Sequence, residues 1–563
     1  MNILKRLSII FILSISFGIH AQQAKDSVKT EVVEVSRSFT PKVQDAHKLD
    51  INPEAAQIPE KKIPVKYQIQ SIPVASTFSP EKGGMANFNV SVTKSNSYKS
   101  YVSLAGGNYV DIEGNAFVYY PVTKKLGSAL RLEHYSSQGS KTDEIDYLPY
   151  DKTHADVLFN YASDKSEWNM DLGYLARQTQ LNLNPNPIVP HTPAVIENKE
   201  KLSHNNFLID LNGRFKESYF KSMKLNYNSY WDIYNNNENK LNFLSKLQFP
   251  IGSLNLNMGL QADLVSGDVG KNNQLDMGID ENISYKNMDF GILPAIQIEN
   301  DNIIFNLGAK IYYQNQDTLY NKIQFMPDVN INLNLIYEKL SIYAGVTGEM
   351  KQNSYATHTE KNPYLVANTN ILPGRVPYNI YGGINGAFSS AFSYEIKLGY
   401  KKINNYAFYI SNNMPFANYQ MLYDDMSQSY FKTAFNIGVG KKLDLKLKLD
   451  YRQNNPDHLQ KAINLPDYEF ASILDFHPTE KLHFDVILKN IGNRSFTGFD
   501  SDILPGFTDL NLGIRYQVNE QFTGFLKGYN LLNNNYQKYY AYPVQKVQIL
   551  GGIAYKFDIP NNN

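Results

Sequence analysis

The chain has 563 residues, 54 basic and 54 acidic side chains, no cysteine and 41 tyrosines. Zero net charge gives no reason to expect nucleic acid as a partner, and without cysteine there is no disulfide, no thiolate zinc site and no lipidated N-terminal Cys. Past the N-terminus no apolar run reaches the roughly eighteen residues of a helical span, so the chain reads either as several soluble domains or as one large β-barrel, which grows by strands rather than by cores.

The first residues, MNILKRLSIIFILSISFGIHAQQ, have the layout of a secretory signal peptide. Lys5 and Arg6 form a basic n-region, Leu7 to Phe17 an apolar h-region, and Ala21 a cleavage site before Gln22. Residues 1–21 are therefore expected to be removed on export. Residues 22–84 carry Pro41, Pro53, Pro59, Pro64, Pro73 and Pro80, which rule out long helices and central strands. An extended periplasmic segment is expected there. Its one β-like run, Thr30 to Val35, could pair within the segment or add to a partner's sheet edge.

Residues 85–563 are expected to form the barrel. From about Tyr98 apolar and polar residues alternate with period 2, the period of a strand with two different environments on its faces. Trp168, Met170, Leu172 and Tyr174 alternate with Asn169, Asp171 and Gly173. Val329, Ile331, Leu333, Leu335 and Tyr337 alternate with Asn330, Asn332 and Asn334. Leu443, Leu445, Leu447, Leu449 and Tyr451 alternate with Asp444, Lys446, Lys448, Asp450 and Arg452. The same pattern fills 482–489, 510–517 and the last stretch, Gln545 to Phe557. Charged residues on one face would be costly in a dry sandwich core and are cheap toward a wet or plugged lumen.

Two kinds of connection separate these runs. Short ones are expected at 163–165, 286–288, 338–339, 389–390, 441–442, 478–480 and 519–520. Long polar ones are expected at about 137–152, 178–203, 350–376, 412–427, 454–465, 492–505 and 530–542. Short periplasmic turns alternating with long extracellular loops are a membrane-barrel pattern, and the run count points to about 22 antiparallel strands. The fold class expected is all-β, a large antiparallel transmembrane β-barrel with a short extended N-terminal periplasmic segment.

The last forty residues resemble the end of TonB-dependent outer-membrane receptors, which finish with an Asn-Leu-Phe/Leu-Asn-x-x-Tyr stretch, a Tyr-Pro loop and a strand ending Tyr-x-Phe. The matching residues are Asn530, Leu531, Leu532, Asn533, Tyr536, Tyr542, Pro543, Tyr555 and Phe557. The Pro-Gly-Arg usual before the last strand is replaced near Gln545 and Lys546. That family carries a plug domain of more than about a hundred residues before its barrel, whereas here only the Pro-rich segment precedes it. Glu31-Val32-Val33-Glu34 faintly resembles the first plug strand. Phe39 to Val43 and Pro73 to Phe78 are similar to plug-less barrels filed under the same heading. The resemblance implies the architecture and an outer-membrane location, while the short segment 22–84 argues against TonB-driven import.

No motif of nucleotide, phosphate or catalytic-metal chemistry is present. Gly382 to Gly386 lies in a strand pattern, where glycine marks close backbone approach. His134, His191, His358 and His458 fall in or near outer loops and read as isolated and exposed, the alternative being a metal or catalytic cluster where the loops converge. Tyrosines gather at 406–430 and at 536–542 and read first as an aromatic girdle, alternatively as a binding surface. No catalytic, cofactor or metal residue is expected, and no binding residue can be named. The expected function is a transport or binding channel for an unidentified solute, working with partner proteins. The alternative is a structural or assembly scaffold of the envelope. Expected partners are outer-membrane lipid and a periplasmic or outer-membrane protein contacting 22–84 and the outer loops. Long loops are expected to narrow the outer mouth, and part of 22–84 the periplasmic one.

Overall fold

A computed structural model describes residues 98–141, 146–181, 201–252, 254–270, 283–316, 320–366, 371–412, 418–440, 442–499 and 501–559. The signal peptide, the 22–84 segment with its β-like run and its two short resemblances, and the Pro-rich stretch 182–200 with His191 lie outside them.

A 22-stranded antiparallel sheet closes on itself. Its strands are numbered β1 to β22 in chain order. The first, β1 (Ser100–Gly107), pairs with β2 (Ile112–Pro121) on one side. On the other it pairs with the last, β22 (Gln548–Phe557), from Ser100 opposite Phe557 to Gly107 opposite Leu550. Every other strand pairs with its two neighbours in sequence. Closure satisfies the backbone groups of each strand and leaves no edge, as a β structure in hydrocarbon requires.

The alternation read from the sequence sorts into an outer and an inner face. Along one row of register partners, Val118, Leu130, Val157, Leu172, Ile209, Tyr227 and Leu241 follow one another on adjacent strands. Large apolar side chains such as Leu130, Leu260, Ile292 and Leu307 stand exposed on the outside, the surface a barrel presents to lipid. At the short-turn end aromatic rings form clusters: Trp168 edge-on to Phe215 at 5.2 Å, Phe388 stacked on Tyr394 at 5.2 Å, and Tyr555 between Phe522 at 4.8 Å and Phe557 at 5.8 Å. Phe557 thus sits in an interfacial girdle, where ring bodies and wet edges both find partners.

The wall is uneven in height. β1 and β21 (Phe522–Tyr529) have 8 residues each, whereas β15 (Phe392–Asn412) has 21 and β16 (Asn418–Val439) has 22. At about 3.3 Å per residue the tallest strands run about 70 Å, while about ten residues suffice to cross the bilayer. The upper part of the β15–β16 hairpin therefore stands clear of the membrane.

Two expected connections are corrected. Residues 286–288 lie inside β10 (Ile283–Glu299), and the turn follows at 300–302. Lys286-Asn287-Met288 has turn-like composition, but its residues pair continuously with β9 (Leu254–Val269). The long loop expected at 412–427 is short, because β16 begins at Asn418. Its Asp, Tyr and Gln residues are polar for a different reason: they meet other loops rather than lipid. The remaining short turns fall where expected, and Gly382 to Gly386 lies within β14 (Gly374–Ser389).

Candidate functional site

The loop at 352–373, between β13 (Leu340–Lys351) and β14, crosses the outer mouth; the structure describes its residues 352–366 and 371–373. Its helix α1 (Tyr355–Lys361) starts at Ser354, whose hydroxyl accepts the Thr357 N–H at 3.1 Å. Glu238 on β8 (Asn237–Ile251) supplies the second cap. Its carboxylate accepts the N–H groups of Tyr355 at 2.6 Å and Ala356 at 3.2 Å. The Tyr285 hydroxyl of β10 donates to the same carboxylate at 2.6 Å. Glu238 is 1% exposed, so this buried charge rests on three donors and the positive end of a short helix.

Other wall residues grip the loop by its main chain. Arg177 of β5 (Ser166–Gln180) donates to the Thr359 carbonyl at 3.3 Å. His204 of β6 (Lys201–Phe215) lies 3.0 Å from the Pro363 carbonyl through Nε2 and 2.8 Å from the Tyr230 hydroxyl through Nδ1. A carbonyl only accepts, so Nε2 carries the proton, and the Tyr230 hydroxyl stands between Nδ1 and the Asp232 carboxylate, 3.2 Å from the latter. Asn287 of β10 donates to the Ile371 carbonyl at 2.6 Å. On the far side of its own stem the loop forms a parallel bridge, with Val366 N–H donating to Tyr419 at 2.8 Å and Tyr419 N–H to Tyr364 at 3.1 Å. The loop is thus fastened to β5, β6, β8 and β10 at one side and to β16 at the other.

Apolar packing completes the closure. Tyr355, Ala356, Leu365 and Ile371 of the loop share a buried core with Tyr230, Val265, Val269 and Tyr285 of the wall, Tyr419 and Met421 of β16, and Ala541 and Tyr542 of the last outer loop. Tyr364 stacks on Tyr542 at 3.4 Å and 14°, and the Tyr539 hydroxyl donates to the Lys361 carbonyl. Arg494 donates to the Gln537 and Lys538 carbonyls at 2.6 and 2.7 Å, tying the 492–506 and 530–547 loops together. The expected girdle role therefore fails for Tyr419 and Tyr542, which are core residues of the mouth, and for Tyr539, which packs against them. Lys538, in the same assembly, is pushed down to about 7 by burial and by the nearby cations Arg494 and Lys489.

The upper β15–β16 hairpin is a blade between two loops. Tyr419, Met421 and Tyr423 face the 352–373 loop, with the Tyr423 hydroxyl accepting the Leu372 N–H at 3.3 Å. Met426 on the opposite face packs with Ile403, Phe408, Ala462 and Ile463 of the 457–467 region. A register shift between Ile403 and Tyr406 marks a bulge. Within it Asn405 takes φ 53, a conformation Asn tolerates better than most residues. Its side chain donates to the Pro373 carbonyl at 2.9 Å.

The histidines divide. His458 is exposed in the 457–467 loop, and its Nδ1 lies 2.6 Å from the Asp424 carboxylate, whose hydrogen bond raises the imidazole above its ordinary value. His134 bridges Thr153 at 2.9 Å and Ser136 at 3.2 Å on the wall. His358 corrects the exposed reading: it is 2% exposed in α1, with Nδ1 2.8 Å from the Tyr409 hydroxyl and Nε2 without a partner. Burial, then Lys361 and Lys240, hold it down at about 3. Among the described residues no three His, Cys, Asp or Glu side chains are grouped to hold a metal. Sequence reading missed Glu238, Arg177, His204 and Asn287. Their only signal is shared parity with the lumen face near the outer strand ends.

No protein-family model matches the chain, and no curated protein matches it. Solved structures do match. The ferric enterobactin receptor PfeA of Pseudomonas aeruginosa aligns with a TM-score of 0.61 at 11% identity, covering 83% of this chain and 81% of the receptor. The siderophore receptor PirA of Acinetobacter baumannii gives 0.60 at 12%, over 83% and 81%. The ferric-catecholate import receptor Fiu of E. coli K12 gives 0.58 at 9%, over 82% of each chain. The chain has the 22-stranded fold of TonB-dependent-receptor-like barrels. At these identities the likeness concerns the fold.

Proposed function

We propose that the protein is an outer-membrane transport barrel whose outer mouth is gated by the 352–373 loop, acting by passage of a solute rather than by catalysis. The observation that carries this reading is the fastening of one loop to strands on both sides of its stem, through the buried Glu238 carboxylate and the Tyr364–Tyr542 stack. Such a loop is a closed state with a defined set of bonds to break. The named functions of the barrels it resembles, import of a ferric-catecholate among them, support transport as the role. Residues 1–21 act as the export signal, and 22–84 as the periplasmic arm through which a partner protein opens the barrel.

Planar-bilayer recording tests the gate. The wild type should conduct little, with rare openings. Glu238→Ala removes the acceptor of two loop N–H groups and leaves a phenol unpaired, a loss of about 2–4 kcal/mol of docking. Long-lived openings should then dominate, with raised susceptibility of cells to large antibiotics. A stable large conductance in the wild type, or a Glu238→Ala trace like the wild type's, overturns the reading.

A further inference from the structure

Below the loop, one row of the inner wall stands apart. Asp171, Asp210, Asn226, Asn242, Asp263 and Asp289 are successive register partners on the adjacent strands β5, β6, β7 (Phe220–Asp232), β8, β9 and β10. Each is a carboxylate or a carboxamide, and no basic residue interrupts them. The two asparagines serve their neighbours: Asn226 donates to Asp210, and Asn242 donates to Asp263 at 2.7 Å. Gln261 donates to the other Asp263 oxygen at 2.5 Å.

Asp263 and Asp289 sit directly opposite each other, where like charges repel. Asp289 is 1% exposed and neither of its oxygens accepts a hydrogen bond of normal geometry; its register partner Gln314 lies beside it and lends the carboxylate partial support. At the other end of the row an Asp171 oxygen is also unpaired, and Arg131 lies 3.7 Å from that carboxylate while its main bond goes to Asp156 at 2.6 Å. Lys240, one inward position above Asn242, offsets part of the Asp263 charge but donates to the Gln352 carbonyl at 3.5 Å. A buried carboxylate with no donor is costly unless it takes up a proton or a cationic partner arrives.

We propose that this row is a binding track for a protonated amine solute, with the Asp263–Asp289 pair as its principal seat. An ammonium brings both the missing charge and three hydrogen-bond donors. A hard metal ion instead calls for six or more oxygen ligands, and among the described residues no three His, Cys, Asp or Glu side chains are grouped to hold one. The loop forms the roof of the seat, since Asn287, the next inward residue of β10, holds the Ile371 carbonyl. A solute seated there lies behind the gate and is released inward once it has passed.

This inference rests on the transport reading, but binding is measured at equilibrium, so its failure leaves the gate untouched and the reverse holds too. The full chain in detergent is titrated calorimetrically with spermidine, with calcium and with an uncharged polyol of similar length. Spermidine should bind, and Asp289→Asn and Asp263→Asn should each weaken it at least tenfold. Asp301→Asn, in an exposed turn, should leave it unchanged. Retention of heat-modifiable gel mobility confirms that each variant is still a barrel. No spermidine binding by the wild type, equal binding by the Asp289→Asn and Asp263→Asn variants, or calcium binding in place of spermidine overturns the proposal.

Discussion

His358 brings an uncharged imidazole into the loop core, with one nitrogen unpartnered and two lysines nearby. Its folded value of about 3 lies below the ordinary 6.5. A group depressed in this way stabilises docking fully above about pH 6.5 and loses that contribution as pH falls toward 3. By pH 5 the loss is about 2 kcal/mol. Protease access to 352–373, or opening in bilayers, should therefore rise between pH 7 and 5. His358→Gln should flatten that rise; a wild type that is equally closed at both values refutes the assignment. Gly386 makes a second residue-scale case. A Cβ there would lie 1.9 Å from the Lys339 carbonyl oxygen, which belongs to the backbone of the 337–339 turn and cannot swing away. Gly386→Ala should cost about 2 kcal/mol or more, seen as a lower temperature for loss of heat-modifiable mobility, with the outer mouth unchanged.

At the scale of elements, the β15–β16 hairpin explains why the outer loops hold one pose. Its upper half offers Tyr419 and Met421 to one loop and Met426 and Phe408 to another, so neither loop orders against water alone. The bulge at Asn405 supplies the local twist that aims the two faces. Tyr419 is 0% exposed and also donates its hydroxyl to the Tyr540 carbonyl at 3.0 Å. Tyr419→Ala leaves a cavity and an unpaired carbonyl, costing about 3–5 kcal/mol of loop docking. Limited proteolysis should then cut both the 352–373 and the 530–547 loops, while the transmembrane strands stay protected. Cleavage confined to one loop would show that the hairpin does not couple them.

For the whole molecule, the closed sheet and its exposed apolar outer face call for a bilayer. The protein should partition with the membrane fraction and leave it only with detergent. Recovery as a soluble periplasmic protein would contradict the assignment. The wall is low near the β1–β22 seam and tall at β15–β16. The mouth therefore opens obliquely, and the 352–373 loop closes it by meeting the 530–547 loop of the low side.

The alternation of Trp168 to Tyr174 and of Leu443 to Arg452, the short turns and the resemblance of Asn530 to Phe557 were enough to read a barrel of about 22 strands. Period 2 is a local property: each strand separates lipid from lumen by its own side chains, whatever its partner. The sequence by itself did not determine where the mouth closes. Glu238, His204 and Asn287 look like any other inward polar residue until register places them under 352–373. Residues 418–427 read as a loop because their side chains meet other loops and carry no lipid pattern. His358 read as exposed because a histidine in a polar loop has no local mark of burial. The Asp171 to Asp289 row exists only across strands, where pairing between segments distant in sequence brings scattered carboxylates into line. Only the tertiary structure decided these contacts, because they depend on which strand pairs with which and in what register.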